Sequence, residues 1–224
     1  MTGITLNRVD LTSVLIKVAG DMKGHVDQLR DLDAVMGDGD LGVTIGMGSD
    51  AMIDYLAAPD ETDIGKMLVK CGMNVNKVNP STFGTLQASA FMGAGKAVLN
   101  KTEITVVDLI SMGSGAIDGI KKRGKAEVGD KTMLDSLVPA VETFQRSFNE
   151  KEDIVEALKA AVSAAETGML ATDNMKAKFG RGSWRPDGTV GKRDGGATAF
   201  YFMIESFARH LRDLVNNQGR KARS

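Results

Sequence analysis

Apolar residues recur at helical spacing in almost every segment of this 224-residue chain, and strand-like alternation is nearly absent. Val14, Leu15, Val18, Met22, Val26 and Leu29 trace a first long helix, and Ile64, Met67, Leu68, Cys71 and Val75 trace another. "TVVDLISMGSGAIDGIKKR" offers Thr105 as N-cap and ends in a basic turn, while "TMLDSLVPAVETFQRSF" sets Leu134, Leu137, Val138, Val141, Phe144 and Phe148 on one side. "EDIVEALKAAVSAAETGML" is alanine-rich with an acidic start, and "GATAFYFMIESFARHLRDLV" closes the chain with an aromatic and aliphatic stripe. The pattern predicts an all-α bundle of about eight helices in one domain spanning 1–224, with the basic tail from 216 to 224 frayed.

Composition narrows what such a bundle does. Lys and Arg number 28 against 29 Asp and Glu, so no polyanion-binding surface is implied and nucleic acid is not an expected partner. The single cysteine, Cys71, lies at an apolar helix position, where it is a small core residue in a chain suited to a reducing cytoplasm. No apolar stretch approaches the ~20 residues that span a bilayer, and the N-terminus has no signal-peptide pattern. The expectation is a soluble cytoplasmic protein without a membrane partner.

The glycines cluster between the predicted helices, at 37–48, 124–129 and 180–196, as if several loops met at one place. The first cluster, "LDAVMGDGDLGVTIGMG", holds Asp33, Asp38 and Asp40 with no countercharge. A Gly-Asp-Gly-Asp-Leu-Gly turn folding back toward Asp33 would put three carboxylates in one small volume, where like charges force protonation unless a cation intervenes. Oxygen-only ligands point to magnesium or calcium, and a small carboxylate set with room for water or phosphate suits magnesium. The same residues also read as Asx-type turns with exposed side chains.

Two further stretches bear on that choice. "NPSTFGTLQASAFMGAGKAV" begins with Ser81 and Thr82 and passes through Gly84 into a small-residue helix, a helix start suited either to an anion or simply to capping. It is not a Walker A loop. "KFGRGSWRPDGTVGKRDGGATAF" supplies Arg181, Arg185, Lys192 and Arg193 in a long polar loop, with Asp194 as N-cap of the last helix and Gly195 and Gly196 allowing close approach of a ligand. Carboxylates for magnesium, a hydroxyl-bearing helix start and arginines together are what phosphoryl transfer needs.

In order and approximate spacing, these stretches and "RGKAEVGDKTMLDSLVPAVE" resemble the L subunit of dihydroxyacetone kinase and the equivalent nucleotide-binding domain of single-chain kinases. The resemblance covers nearly the whole chain. It implies an eight-helix antiparallel barrel with a nucleotide, ADP or ATP, at one end, held through two magnesium ions by Asp33, Asp38 and Asp40. It further implies that Leu41, Gly42, Val43 and Thr44 line the phosphate side, that Thr82 and Phe83 contact the nucleotide, and that Gly124 and Met133 border the adenine. Arg181 would reach the phosphates as the catalytic cation, and Asp194, Gly195 and Gly196 would close the site. The implied partner is a substrate-binding K-type subunit acting on dihydroxyacetone or a related short ketose. The phosphoryl donor is either ATP or a phosphohistidine carrier protein that recharges bound ADP. A second copy of the chain is a further candidate partner, and a nucleotide-loaded regulatory module is the alternative function. The chain departs from the family pattern at Leu41 and Lys192, where the family has His, at Val43-Thr44, where it has a nearby Asn, and at Phe83, where it has Ser.

Overall fold

The computed structural model describes residues 4–221. Among them, nine α-helices and one pair of three-residue strands make an all-α fold. Strand β1 (Thr5–Asn7) leads into α1 (Arg8–Lys23), followed by α2 (Val26–Ala34), α3 (Leu41–Ala57), α4 (Ile64–Val78) and α5 (Thr82–Ala97). Strand β2 (Glu103–Thr105) leads into α6 (Val106–Gly124), and α7 (Leu134–Lys151), α8 (Ile154–Ala171) and α9 (Gly195–Lys221) complete the chain.

The helix count exceeds the expected eight because the first predicted helix is two. Gly24 donates its N–H back to the carbonyls of Asp21 and Met22, and His25 leaves helical geometry at φ −103° and ψ 2°. The imidazole of His25 stacks on Phe202 with ring centroids 3.9 Å apart, which fixes the new direction of α2. Asp33 thus belongs to the last turn of α2 rather than to the first long helix.

Helices pack in chain order: α1 on α3, α3 on α4, and so on to α8 on α9, with α9 returning to α1. Helix α2 stands outside this circuit, against α3 and α9. The predicted stripes face inward. Leu15, Leu68, Cys71, Phe144, Leu158 and Leu211 share the main core, and burial pushes the Cys71 thiol up to about 12, where it is inert. Glycines set the helix spacing at a few points: a Cβ on Gly93 would stand against the Gly115 carbonyl, so α5 and α6 touch backbone to backbone. An apolar cavity of about 270 Å³ remains inside, bounded by Leu15, Met52, Phe91, Leu137 and Phe207 among others. None of the candidate site residues lines it.

The strands pair antiparallel, Leu6 opposite Ile104, and each ends in a capping box. Asn7 accepts from Asp10 N–H while Asp10 accepts from Asn7 N–H, and Thr105 and Asp108 repeat the arrangement at α6. Helix α9 runs to Lys221, so 216–221 is helical where fraying is expected, and Gln218 donates to Asp10 at 3.4 Å. Residues 222–224 of that tail lie outside the described residues. No described helix is long and apolar enough to cross a membrane.

Candidate functional site

The last turn of α2 and the glycine-rich turn that follows bring Asp33, Asp38 and Asp40 together, with one oxygen from each within 4.8 Å of the others. The turn is built for this. Gly39 takes the left-handed φ of +75°, which favours glycine. A Cβ on Gly37 would lie 2.6 Å from the Asp33 carboxylate, and one on Gly42 would lie 2.4 Å from the Val26 carbonyl, so α3 starts directly against α2. Asp40 stands at the N-cap of α3, yet its side chain makes no cap hydrogen bond. Its oxygens are therefore not spent on the helix.

Electrostatics show the strain. Burial, then the charges of Asp38 and Asp33, raise the pKa of Asp40 above the usual carboxylate range, and the nearby Arg181 only partly opposes them. Asp33 Oδ2 is buried with no hydrogen-bond partner, a costly state for a carboxylate oxygen unless something outside the chain satisfies it. A hard divalent cation is what this donor set fits: all oxygen, closely spaced, partly exposed, and short of positive charge.

Four helix N-termini converge here. Thr44, in the first turns of α3, is buried, and its hydroxyl lies 3.1 Å from that of Ser81, the N-cap of α5. Asn79 ties the two by donating from Nδ2 to Thr44 Oγ1 at 3.0 Å and accepting the Ser81 N–H on Oδ1. Asp194 caps α9 by accepting the Ala197 N–H at 2.7 Å. A Cβ on Gly195 would touch Leu41 at 2.9 Å, and one on Gly196 would lie 3.5 Å from the nitrogen of Met133, where α7 begins. The starts of α3, α5 and α9 thus bring first-turn N–H groups and the positive ends of their dipoles to this end, where α7 adds its dipole, its own first N–H groups being held by Thr132 and Met133.

Other candidate residues take distinct places around this end. Leu41 is buried, packed with Leu29 and Ile45, whereas Val43 is exposed. Thr82 is exposed at the start of α5, and Phe83 meets Phe200 edge-on with ring centroids 6.0 Å apart. Met133 is buried among Ile120, Leu134 and Phe200, and a Cβ on Gly124 would lie 3.0 Å from Leu86 of α5. Arg181 reaches across from the long loop, its Nη2 2.5 Å from Asp38 Oδ2. Arg193 of the same loop pairs instead with Asp173, at 2.8 Å. Burial pushes Asp194 up to about 7, against the stabilising Ala197 N–H.

Asn79 and Lys131 escape the sequence reading. Asn79 stands in an Asn-Pro turn signal that reads as a loop residue. Lys131 is buried with its Nζ on main-chain carbonyls, which leave no trace in sequence.

The DAK2 domain matches residues 35–209. The chain is 32% identical to the ADP-binding subunit DhaL of the PEP-dependent dihydroxyacetone kinase of Escherichia coli (strain K12), over 92% of this chain and 98% of that one. It is 32% identical to the ADP-binding subunit DhaL of PEP-dependent dihydroxyacetone kinase 2 of Listeria innocua, over 96% of this chain and 100% of that one. Its fold matches the crystal structure of the dihydroxyacetone kinase from C. freundii in complex with AMP-PNP and Mg2+, with TM-score 0.68 and 23% identity over 88% of this chain. The chain spans only 33% of that longer protein.

Proposed function

This chain belongs to the DAK2 domain family, and on that premise we propose that it is the magnesium-dependent, nucleotide-binding phosphoryl-transfer subunit of a kinase for dihydroxyacetone or a related short ketose. The observation that carries the reading is the cluster of Asp33, Asp38 and Asp40, with a buried unpartnered oxygen on Asp33, at the meeting point of four helix N-termini. These three aspartates would hold two magnesium ions. When bound, magnesium supplies charge neutralisation to the phosphoryl oxygens.

The chain's own groups bind and orient. First-turn N–H groups of Leu41, Gly42 and Val43 in α3, and of Thr82 and Phe83 in α5, face the phosphates, as helix N-termini receive anions. Arg181, half exposed on the loop and paired with Asp38, has a guanidinium free to turn from carboxylate to phosphate, where it stabilises the charge of the transferring group. Met133, Gly124 and Phe83 offer an apolar bed for the base. Asp194, Gly195 and Gly196 close the site from α9. A K-type subunit presents the ketose hydroxyl. Trp184, 80% exposed on the Arg181 loop, and Val43 and Met47, exposed on α3, are apolar side chains that such a subunit would cover. Relatives described as PEP-dependent and ADP-binding favour bound ADP as a fixed carrier, recharged by a phosphohistidine protein, over exchange with ATP.

Native mass spectrometry of the purified chain tests this directly. ADP and two magnesium ions, retained until EDTA is added and absent from Asp38→Asn, are expected, with affinity in the variant down at least ~100-fold. Unchanged nucleotide retention in Asp38→Asn, or a wild-type chain that takes no nucleotide at any magnesium concentration, would overturn the proposal.

A further inference from the structure

Lys131 sits in the connection between α6 and α7, and its side chain is buried to 2% exposure. Its Nζ lies 2.7 Å from the carbonyl of Thr172, 3.2 Å from that of Met175, 2.7 Å from that of Thr189 and 2.5 Å from that of Lys192. All four acceptors are main-chain oxygens of one segment. Thr172 and Met175 open the connection between α8 and α9, and Thr189 and Lys192 close it. An ammonium carries three N–H donors, so the four carbonyls share them and the Met175 contact is the longest. A buried cation is expensive unless fully coordinated, and here four carbonyl dipoles take its N–H groups, as carbonyls ring a cation in a selectivity filter, while the charges of Asp194 and Asp173 favour it from nearby.

The base of the same loop is laced further. Arg193 pairs with Asp173, Gly191 donates to the Asp173 carbonyl at 2.7 Å, and Asp194 donates to Thr172 Oγ1 at 3.1 Å. The neighbour of Lys131 holds the outgoing arm: Asp130 pairs with Lys178 at 2.5 Å and accepts the Lys178 N–H on its carbonyl. Beyond these ties the loop extends to Arg181, whose guanidinium meets Asp38, and returns to Asp194, the cap of α9.

We propose that Lys131 is a positioning residue, an internal ammonium clamp that gathers both ends of the 172–194 loop so that Arg181 and Asp194 are set against the carboxylate cluster. The inference rests on the nucleotide site proposed above, since positioning matters only if that site binds. The Lys131 ammonium makes its hydrogen bonds to main-chain carbonyls and none to Asp33, Asp38 or Asp40, the residues assigned to magnesium.

The test is Lys131→Met in the full chain, which keeps an unbranched side chain as far as Cε and removes the ammonium with its N–H donors. Far-UV circular dichroism is expected to stay at the wild-type level. Trypsin cleavage after Lys178 and Arg181 is expected to rise at least ~10-fold, because cleavage follows the population of the open loop. Release of magnesium-ADP should quicken by a similar factor. Wild-type cleavage rates in the variant overturn the clamp. Should Lys131→Met fail to fold, Lys131→Gly replaces it, because Lys131 already holds a left-handed φ of 63° that glycine adopts freely. Butylammonium, which restores the missing chain and its donors, is then expected to restore protection, and butyltrimethylammonium, equally charged but without N–H, is not. Equal behaviour of the two amines overturns the proposal. Cleavage needs no nucleotide, so a chain that binds none condemns the functional reading while leaving the clamp to be judged by trypsin alone.

Discussion

Aspartates stand at helix starts at both ends of this bundle, and they are in opposite electrostatic states. At the strand end, Asp108 accepts the Thr105 N–H at 2.9 Å, the Thr105 hydroxyl at 3.0 Å and the Lys101 ammonium at 2.5 Å. Burial raises its pKa, but the bonds to Lys101 and Thr105 outweigh burial and hold it below the usual range. At the other end, Asp40 occupies the N-cap of α3, makes no cap bond, and has its pKa raised by burial and by Asp38 and Asp33. One carboxylate is consumed by the fold and the other is held in readiness against it. Residue type and position on a helix do not make a site; the partners left unfilled do.

The sharpest way to break this contrast is to move the helix that carries the open carboxylates. Gly42→Ala would place a Cβ 2.4 Å from the Val26 carbonyl and 2.9 Å from Arg30 Cβ, so α2 must shift from α3. A loss of about 2–3 kcal/mol in denaturant unfolding is expected, with weaker magnesium-nucleotide binding as Asp33 leaves its partners. Gly20→Ala in α1 is the control, since a Cβ there meets nothing within 4 Å, and about 0.5–1 kcal/mol of added stability with unchanged binding is expected. Equal effects of the two substitutions would show that the α2–α3 contact has no special part in the site.

The next effect should fall on stability alone. Asp108→Ala removes a capping box and strands the Thr105 N–H, and a loss of about 1–2 kcal/mol by thermal or urea unfolding is expected. Nucleotide affinity by titration calorimetry should stay at the wild-type value. A drop in affinity would mean that the two ends are coupled through α6, which runs from Thr105 at the strands to Gly124 at the site.

These particulars mark what the sequence could disclose. Asp33, Asp38 and Asp40 are close in the chain, so local turn geometry alone suggests their meeting. The all-α fold follows from periodicity repeated along the chain. The strands escaped because each buries only one residue, Leu6 or Ile104, too little for alternation to register. The split between α1 and α2 hangs on Gly24 and on a His25–Phe202 stack, a contact between residues far apart in sequence. Arg181 enters the site by family likeness alone, because a loop arginine has no local rule to aim it. Lys131 lies in a stretch that carries the family likeness, but nothing local discloses its role, since its partners are carbonyls, common to every residue.

The smallest effect is also the one that separates the two kinds of aspartate most cleanly. With divalent cations chelated, Asp40→Asn removes a charge that repels Asp33 and Asp38, so the variant should unfold at a slightly higher temperature than wild type near neutral pH. Solvent screening holds the gain to roughly 1 kcal/mol or less. Because the folded-state pKa of Asp40 is raised, the penalty of its charge is present above that pKa and fades as pH falls through it. The two melting curves should therefore converge on acidification. Asp108→Asn should behave in the opposite sense, less stable than wild type at neutral pH. Its deficit should persist down to the ordinary carboxylate value of 3.8 and disappear only as pH falls through the depressed folded pKa. Magnesium with ADP supplies the decisive inversion. Binding to the folded state alone stabilises wild type by mass action, so Asp40→Asn should pass from the more stable protein to the less stable one, while the Asp108→Asn difference stays fixed. An Asp40→Asn difference that magnesium and ADP leave unmoved would place Asp40 with Asp108, as an aspartate of the fold rather than of the site.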